Sequence, residues 1–247
     1  MTVHFIGAGP GAADLLTLRA VRLLRASPVC LYAGTYIGAD VLSHCPSEVE
    51  LVDTQHLDLD QITQLLVEAH SRGLDVARLC SGDPSVFSAV AEQGRRLDRV
   101  GVPWDVTPGV PAYAAAAALL SRELTVPEVT QSVVLTRTQH VSTVMPEREA
   151  LSNFARTQAT LVLHLSIRHV RRLATELIEE YGDDCPVAVV SRAEQPEQLV
   201  LRGTLSDIAD QVEAAQLRQA AVIIVGWALD AEHFAESHLY GDRCRAR

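Results

Sequence analysis

The sequence predicts an α/β protein of two domains whose sheets are mostly parallel. Two observations carry the fold class. Short β-rich runs alternate with helical stretches, the pattern that lays helices over the faces of a parallel sheet. Gly- and Pro-rich loops follow the early strands, as at Gly7-Ala8-Gly9-Pro10-Gly11, Ser81-Gly82-Asp83-Pro84 and Thr107-Pro108-Gly109. A third observation sets the domain count. The alternation breaks at Glu123 to Gln131, around Pro127, and then restarts. This divides the chain into an N-terminal domain, 1–122, and a C-terminal domain, 123–247. A chain of 247 residues fits one or two domains of ordinary size.

The elements read in order. Thr2 to Ile6 is a strand ending at Gly7. Asp14 has the residue type of an N-cap, and Leu15, Leu16, Leu18, Val21, Leu23 and Leu24 then form a helical apolar face that stops near Ser27-Pro28. Val29 to Tyr32 and Leu51-Val52 are the next strands. A helix at 59–72 stops at Gly73, where a C-terminal glycine belongs. Strand Asp75 to Leu79 leads to a helix at 86–97, then strand Trp104 to Val106 and an alanine-rich helix from Tyr113 to Leu120. In the second domain the strands are Val133 to Leu135, Thr160 to Leu163, Val187 to Val190, Leu199 to Leu201 and Ala221 to Val225. The helices there are 148–154, 168–181 and 205–217.

Composition excludes several functions. The net charge is −10, so nucleic acid and anionic membrane are poor partners for most of this surface. There is no lysine; all 21 cationic side chains are arginine. Schiff-base chemistry and Walker-A phosphate binding therefore have no residue to perform them. Five cysteines, odd in number and widely spaced, suit a reducing, cytoplasmic setting better than a disulfide scaffold. No Cys-x-x-Cys or His-Glu-x-x-His occurs, so no metal site is expected. The longest apolar run, Ala114 to Leu120, is too short to span a bilayer.

The first glycine loop can be aligned with the dinucleotide pattern G-x-G-x-x-G/A, with Ala12 as its last position. Two features oppose an NAD or FAD site. The expected cap, Asp14, would turn negative charge toward a phosphate. The acidic residue that should end the second strand is absent, because that strand runs into Tyr32-Ala33-Gly34. A turn with no ligand is the other plain reading of such a loop.

The motif series resembles another family. Residues 7–20, from Gly7-Ala8-Gly9-Pro10-Gly11 to Arg19-Ala20, are similar to the opening signature of the tetrapyrrole methylases. Arg78-Leu79-Cys80-Ser81-Gly82-Asp83-Pro84-Ser85-Val86-Phe87 with Glu92-Gln93 resembles the second signature, and Thr107-Pro108-Gly109-Val110-Pro111-Ala112 the third. Weaker matches follow in register at Thr160 to Leu165, Arg192-Ala193 with Arg202 to Leu205, and Ala221 to Gly226. Tyr32-Ala33-Gly34-Thr35, Thr136-Arg137-Thr138 and Met145-Pro146-Glu147 look like the subgroup that methylates precorrin-4 at C-11 in cobalamin biosynthesis.

The resemblance implies two α/β domains with a ligand cleft between them, a homodimer, and S-adenosylmethionine as methyl donor, leaving S-adenosylhomocysteine. It implies a tetrapyrrole substrate, precorrin-4, with another precorrin carbon or uroporphyrinogen III as the alternative acceptor. Carried over position by position, the donor-binding residues are Pro10, Ser81, Gly82, Asp83, Val86, Pro111, Ala112, Leu165, Ala193 and Ala221. Pro111 has no N–H, so its contact is steric or through its carbonyl. Tyr32 and Gly34 line the substrate trough, and Arg122 and Arg137 are the candidate partners of its carboxylates. The residues offer no reason to name a general base, since the macrocycle is itself the nucleophile. Asp83 could equally cap a turn, and Arg78 could be an outward-facing strand residue or a carboxylate partner.

Overall fold

The computed structural model describes residues 1–138, 144–232 and 234. Two compact units result: Met1–Ala115 with Glu194–Pro196, and Ala116–Ala193 with the chain from Glu197 onward.

The first unit is a five-stranded sheet in the order β3-β2-β4-β1-β5. Its strands are β1 (Val3–Gly7), β2 (Val29–Tyr32), β3 (Glu50–Asp53), β4 (Val76–Cys80) and β5 (Trp104–Thr107), all parallel. The helices are α1 (Leu18–Ala26), α2 (Ala39–Leu42), α3 (Leu59–Ser71), α4 (Val90–Arg99) and α5 (Ala112–Leu120). Burial on both faces makes β4 apolar at every position but Arg78. Ile6, Ala77 and Leu79 pack with Ala20 and Leu24 of α1 on one face. Val3, Phe5 and Val76 pack with Ile62 and Leu66 of α3 and Leu97 of α4 on the other. Phe5 meets Trp104 edge-to-face, with ring centroids 5.7 Å apart.

This topology creates a crossing. From β1 the chain leaves for α1 on one face and then β2. From β4, beside it, the chain leaves for α4 on the other face and then β5, on the far side of β1. The two exits must pass each other directly above the strand ends.

The second unit has the sheet order β6-β7-β10-β8-β9. Its strands are β6 (Val133–Arg137), β7 (Thr160–His164), β8 (Pro186–Ser191), β9 (Leu199–Thr204) and β10 (Ala221–Val225). Helices α6 (Leu151–Ala155), α7 (Val170–Tyr181) and α8 (Ile208–Ala214) bury Leu151, Leu173, Leu177 and Ile208 against Leu161, Leu163, Val187 and Ile223.

The α/β class with mostly parallel strands holds for the described chain as a whole: five of its eight strand pairings are parallel. The second sheet by itself is mixed, since only β6–β7 is parallel there. The short connection 192–198 between β8 and β9 leaves no room for a helical crossover and forces those strands antiparallel.

Local boundaries differ from the sequence reading at several helices. Helix α1 begins at Leu18 and is capped by Thr17, whose Oγ1 accepts the Ala20 N–H at 3.1 Å; Asp14 sits in a preceding single turn of 3-10 helix. Helix α4 begins at Val90, because residues 84–89 form an irregular loop. The short α2, and the bounds of α8, escaped a reading based on periodicity, which needs several turns to register. Among the described residues, no helix is long and apolar enough to cross a membrane, and no group of three or more His, Cys, Asp or Glu side chains could hold a metal ion.

Candidate functional site

The crossing above β1 and β4 explains the glycines. Gly9 and Gly82 pair back to back: Gly9 N–H donates to Gly82 O at 3.1 Å, and Gly82 N–H to Gly9 O at 2.8 Å. Both are left-handed, with φ of +72° and +68°. A Cβ on Gly109 would stand 2.4 Å from Gly82 O and 2.8 Å from the Gly7 backbone, and one on Gly7 would stand 2.4 Å from Gly109 N. The three glycine loops after β1, β4 and β5 therefore meet backbone to backbone, with no space for side chains between them.

Asp83 fastens this junction. Its Oδ2 accepts the Gly109 N–H at 2.8 Å; its Oδ1 accepts the Ser85 N–H at 2.8 Å and the Ser85 hydroxyl. Burial favours the protonated acid, but the bonds from Ser85 Oγ, Gly109 N–H and Ser85 N–H outweigh it and hold the carboxyl below its ordinary value. Of the two readings of this side chain, the structure realises the turn cap and adds a second role as a tie to the β5 loop.

The donor-binding residues assigned to the first unit come together here. Pro10, Ser81, Gly82, Asp83, Val86, Pro111 and Ala112 all follow the C-terminal ends of β1, β4 and β5, the edge where open parallel sheets take ligands. The carbonyl of Pro111 accepts the amides of Ala114 at 3.0 Å and Ala115 at 3.3 Å at the start of α5. The Pro10 carbonyl accepts Gln195 Nε2 at 2.9 Å. Sequence reasoning gave Gln195 no role, and a pairing over this sequence distance leaves no local signal.

Tyr32 and Gly34 lie at the same sheet edge, after β2. Asp53 Oδ1 accepts the Gly34 N–H at 3.0 Å and the Gln55 N–H at 2.9 Å, and these two bonds lower its pKa. The Tyr32 carbonyl accepts the Thr54 N–H at 2.7 Å and the Thr54 hydroxyl at 3.0 Å. Behind it, Arg78 is a buried guanidinium held by neutral groups: Nε donates to Gln93 Oε1 at 3.1 Å, and one terminal nitrogen donates to Thr54 Oγ1 at 3.2 Å. Burial lowers its pKa. The role is structural, but the side chain is buried between the sheet and α4 rather than outward as strand alternation suggested, because both faces of β4 are covered. The signal for its partner was Gln93, a polar residue on the inward face of α4.

In the second unit, Arg137 ends β6 opposite His164, so Leu165 follows immediately beside it. Ala221 opens β10 opposite Ser191, two residues before Ala193, and Ile223 faces Leu163 of β7. Arg137, Leu165, Ala193 and Ala221 thus share one end of that sheet. Leu165 is left-handed at φ +54° and 65% exposed, an unusual presentation for an apolar side chain. Arg122 is elsewhere. It follows α5, two residues before Leu124, whose carbonyl accepts the hydroxyl of Thr160 at the start of β7, the opposite end of the sheet. The stretch Gln139 to Ser142 lies outside the described residues.

The geometry also tests the dinucleotide reading. After Gly11 the chain passes through the single 3-10 turn at 13–15 and an extended Leu16 before α1 begins at Leu18. The loop after β1 therefore does not run straight into the N-terminus of the following helix, the arrangement that gives a pyrophosphate its usual donors. The loops instead present backbone, proline rings and small side chains.

A model of the tetrapyrrole (corrin/porphyrin) methylases matches residues 2–209. The chain belongs to the tetrapyrrole methylase family. Among relatives in that family, a precorrin-4 C(11)-methyltransferase of Rhodococcus erythropolis is 58% identical over 97% of this chain and 96% of its own length. One of Mycobacterium tuberculosis is 53% identical over 97% and 96%. The X-ray structure of a cobalt precorrin-4 methyltransferase superposes with a TM-score of 0.89 at 34% identity, covering 93% of this chain and 96% of that one. A uroporphyrin-III C-methyltransferase from Thermus thermophilus, solved in complex with S-adenosylhomocysteine, gives 0.78 at 30% identity, covering 93% and 99%. Nothing among these tetrapyrrole methylase relatives supports the reading of the first glycine loop as the NAD or FAD site of an oxidoreductase.

Proposed function

We propose that this chain is a precorrin-4 C-11 methyltransferase that uses S-adenosylmethionine and acts on the metal-free macrocycle. The observation that carries the reading is full-length identity of 52–58% to relatives bearing that name. Relatives named for the cobalt-containing substrate are 35–36% identical, which favours the metal-free acceptor over the cobalt complex.

The loop junction fits the donor. S-adenosylmethionine, when bound, supplies an electrophilic methyl group on a sulfonium centre. Such a ligand has no phosphate and is served by carbonyls, small residues and close main-chain approach. Gly7, Gly82 and Gly109 provide that approach, because their loops leave no space for a Cβ or fold left-handed. Pro10, Ser81, Gly82, Asp83, Val86, Pro111 and Ala112 are assigned to the donor, with Leu165, Ala193 and Ala221 of the second unit. Asp83 acts by fixing the loop, since both its oxygens already hold protein donors. Arg137 is assigned to a substrate carboxylate, and Tyr32 and Gly34 to the trough wall. The protein's contribution to rate is then alignment and exclusion of water. The same reading takes the chain as a cytoplasmic homodimer; the four described cysteines, all free, accord with a reducing compartment.

The test is calorimetry with S-adenosylhomocysteine, followed by turnover of enzymatically prepared precorrin-4 with ¹³C-methyl donor. The expected product carries one new methyl at C-11 by NMR. No binding of the demethylated donor, or a label at another carbon, overturns the reading.

A further inference from the structure

We propose that Gln195 is a positioning residue for the methyl donor, which acts by holding the Pro10 carbonyl and with it the glycine loop after β1. The inference rests on the function proposed above and deepens it. Gln195 lies on the connection between β8 and β9, 185 residues from Pro10, and its Nε2 donates to the Pro10 carbonyl at 2.9 Å. Of this connection, Glu194–Pro196 packs with the first unit.

The Pro10 carbonyl is a place where one hydrogen bond has a large effect. Up to Gly9 the loop is fastened through its backbone: Ala8 N–H donates to Cys80 O at 2.8 Å, and Gly9 exchanges two bonds with Gly82. Pro10 has no N–H with which to continue that pairing. Its ring fixes φ, so the direction of its carbonyl depends on one soft torsion, ψ. Gly11 follows, the residue type with the widest backbone freedom. By holding the Pro10 carbonyl, Gln195 fixes ψ just before the chain reaches that glycine. Pro10 is assigned to the donor, and a loop ordered in advance spares the ligand the entropy of ordering it.

Gln195 is itself held in place. Two non-glycine residues before it are left-handed, Arg192 at φ +48° and Glu194 at φ +61°. That conformation is unfavourable for an L-residue and persists only where the surroundings impose it, which is common at loops that hold ligands. Here Arg192 N–H donates to Ala220 O at 2.9 Å, and the Ser191 hydroxyl donates to the same oxygen at 3.3 Å. The Arg192 guanidinium lies 3.6 Å from the Glu197 carboxylate across the loop. The connection thus carries Ala193, also assigned to the donor, and two residues later delivers an amide N–H to Pro10.

The test compares the wild type with Gln195→Met, which keeps the length and removes the N–H, and with Gln195→Glu, which keeps the shape. Calorimetry gives the Kd for S-adenosylhomocysteine; steady-state kinetics give kcat and both KM values. In Gln195→Met the S-adenosylhomocysteine Kd and the KM for S-adenosylmethionine are expected to rise about three- to ten-fold, the scale of one lost hydrogen bond. At saturating donor, kcat and the KM for precorrin-4 stay near wild type, and the melting temperature stays within about 4 °C. In Gln195→Glu an ionised carboxylate offers the Pro10 carbonyl no proton, so donor affinity falls further at neutral pH. It recovers relative to wild type as pH falls toward the glutamate range near about 4, where the acid O–H donates in place of the amide. A residue that merely packs its loop would not make donor affinity follow that titration. Unchanged donor affinity in both variants overturns the inference alone, as does a Gln195→Glu affinity that tracks wild type at every pH, or a parallel loss of kcat, precorrin-4 KM and melting temperature in Gln195→Met. A wild-type chain that binds no S-adenosylhomocysteine overturns the function proposed above and this inference with it.

Discussion

Gly109→Ala isolates the contact on which the loop junction depends. The added Cβ would lie 2.4 Å from Gly82 O and 2.8 Å from the Gly7 Cα and carbonyl carbon. Each of these is a backbone atom, so no side-chain rotation relieves the overlap, and the β1, β4 or β5 loop must move. Overpacking of this kind costs about 1–3 kcal/mol. In a chain of this length each kcal/mol lowers Tm by about 2–4 °C, so a fall of roughly 2–12 °C is expected. Moving Gly109 also pulls its N–H from Asp83, so S-adenosylhomocysteine affinity should fall by about ten-fold or more, the equivalent of one hydrogen-bonded anchor. Gly38→Ala is the control: nothing stands within 4 Å of its Cβ and its φ of −79° suits any residue, so its ΔΔG should stay within about 0.5 kcal/mol. Urea melts and calorimetry read both quantities. If Gly109→Ala retained wild-type stability and donor affinity, the argument that three backbones share this space would be wrong.

Other perturbations address separate links. Asp83 has a lowered pKa in the folded protein, so its contribution to stability is complete above the ordinary aspartate value and is lost as pH falls through the folded value below it. Asp83→Asn should therefore flatten the acid limb of the stability profile below about pH 4, the region where an ordinary aspartate titrates; an unchanged limb would show that Asp83 is not the group responsible. Thr17→Ala should cost about 1 kcal/mol by removing the cap of α1, while Asp14→Ala should change stability by less than about 0.5 kcal/mol, and chemical denaturation separates the two. Arg78→Met should cost about 1–3 kcal/mol because it leaves the Gln93 carbonyl oxygen buried without its donor. Adding Gln93→Leu should recover part of that loss, and a double-mutant cycle with no coupling would refute the pairing.

The division of labour between sequence and fold can be argued from particular residues. Alternation of short apolar runs with helical faces sufficed for the α/β class, and most strands fell within a residue or two of their observed bounds. The glycine loops were legible because a glycine-proline cluster after a strand has few uses. Their mutual contact was not, because Gly7, Gly82 and Gly109 are brought together only when β1 lies between β4 and β5. Asp14 looked like a cap because residue type alone is local; the true cap is Thr17, since the loop spends another turn before the helix can start.

The sequence by itself determined composition-level facts and local periodicity: no lysine for Schiff-base or P-loop chemistry, no long apolar span, and a series of motifs in a fixed order. Tertiary structure decided what those motifs touch. It turned Asp83 from a turn residue into a tie between two loops, gave Gln195 the Pro10 carbonyl as a partner, placed Arg122 at the far end of its sheet, and made the second sheet mixed. The physical reason is the same in each case. Hydrogen bonds and steric exclusion act between atoms near in space, and the strand order that makes distant residues neighbours is set by packing of the whole domain, which no local window of sequence contains.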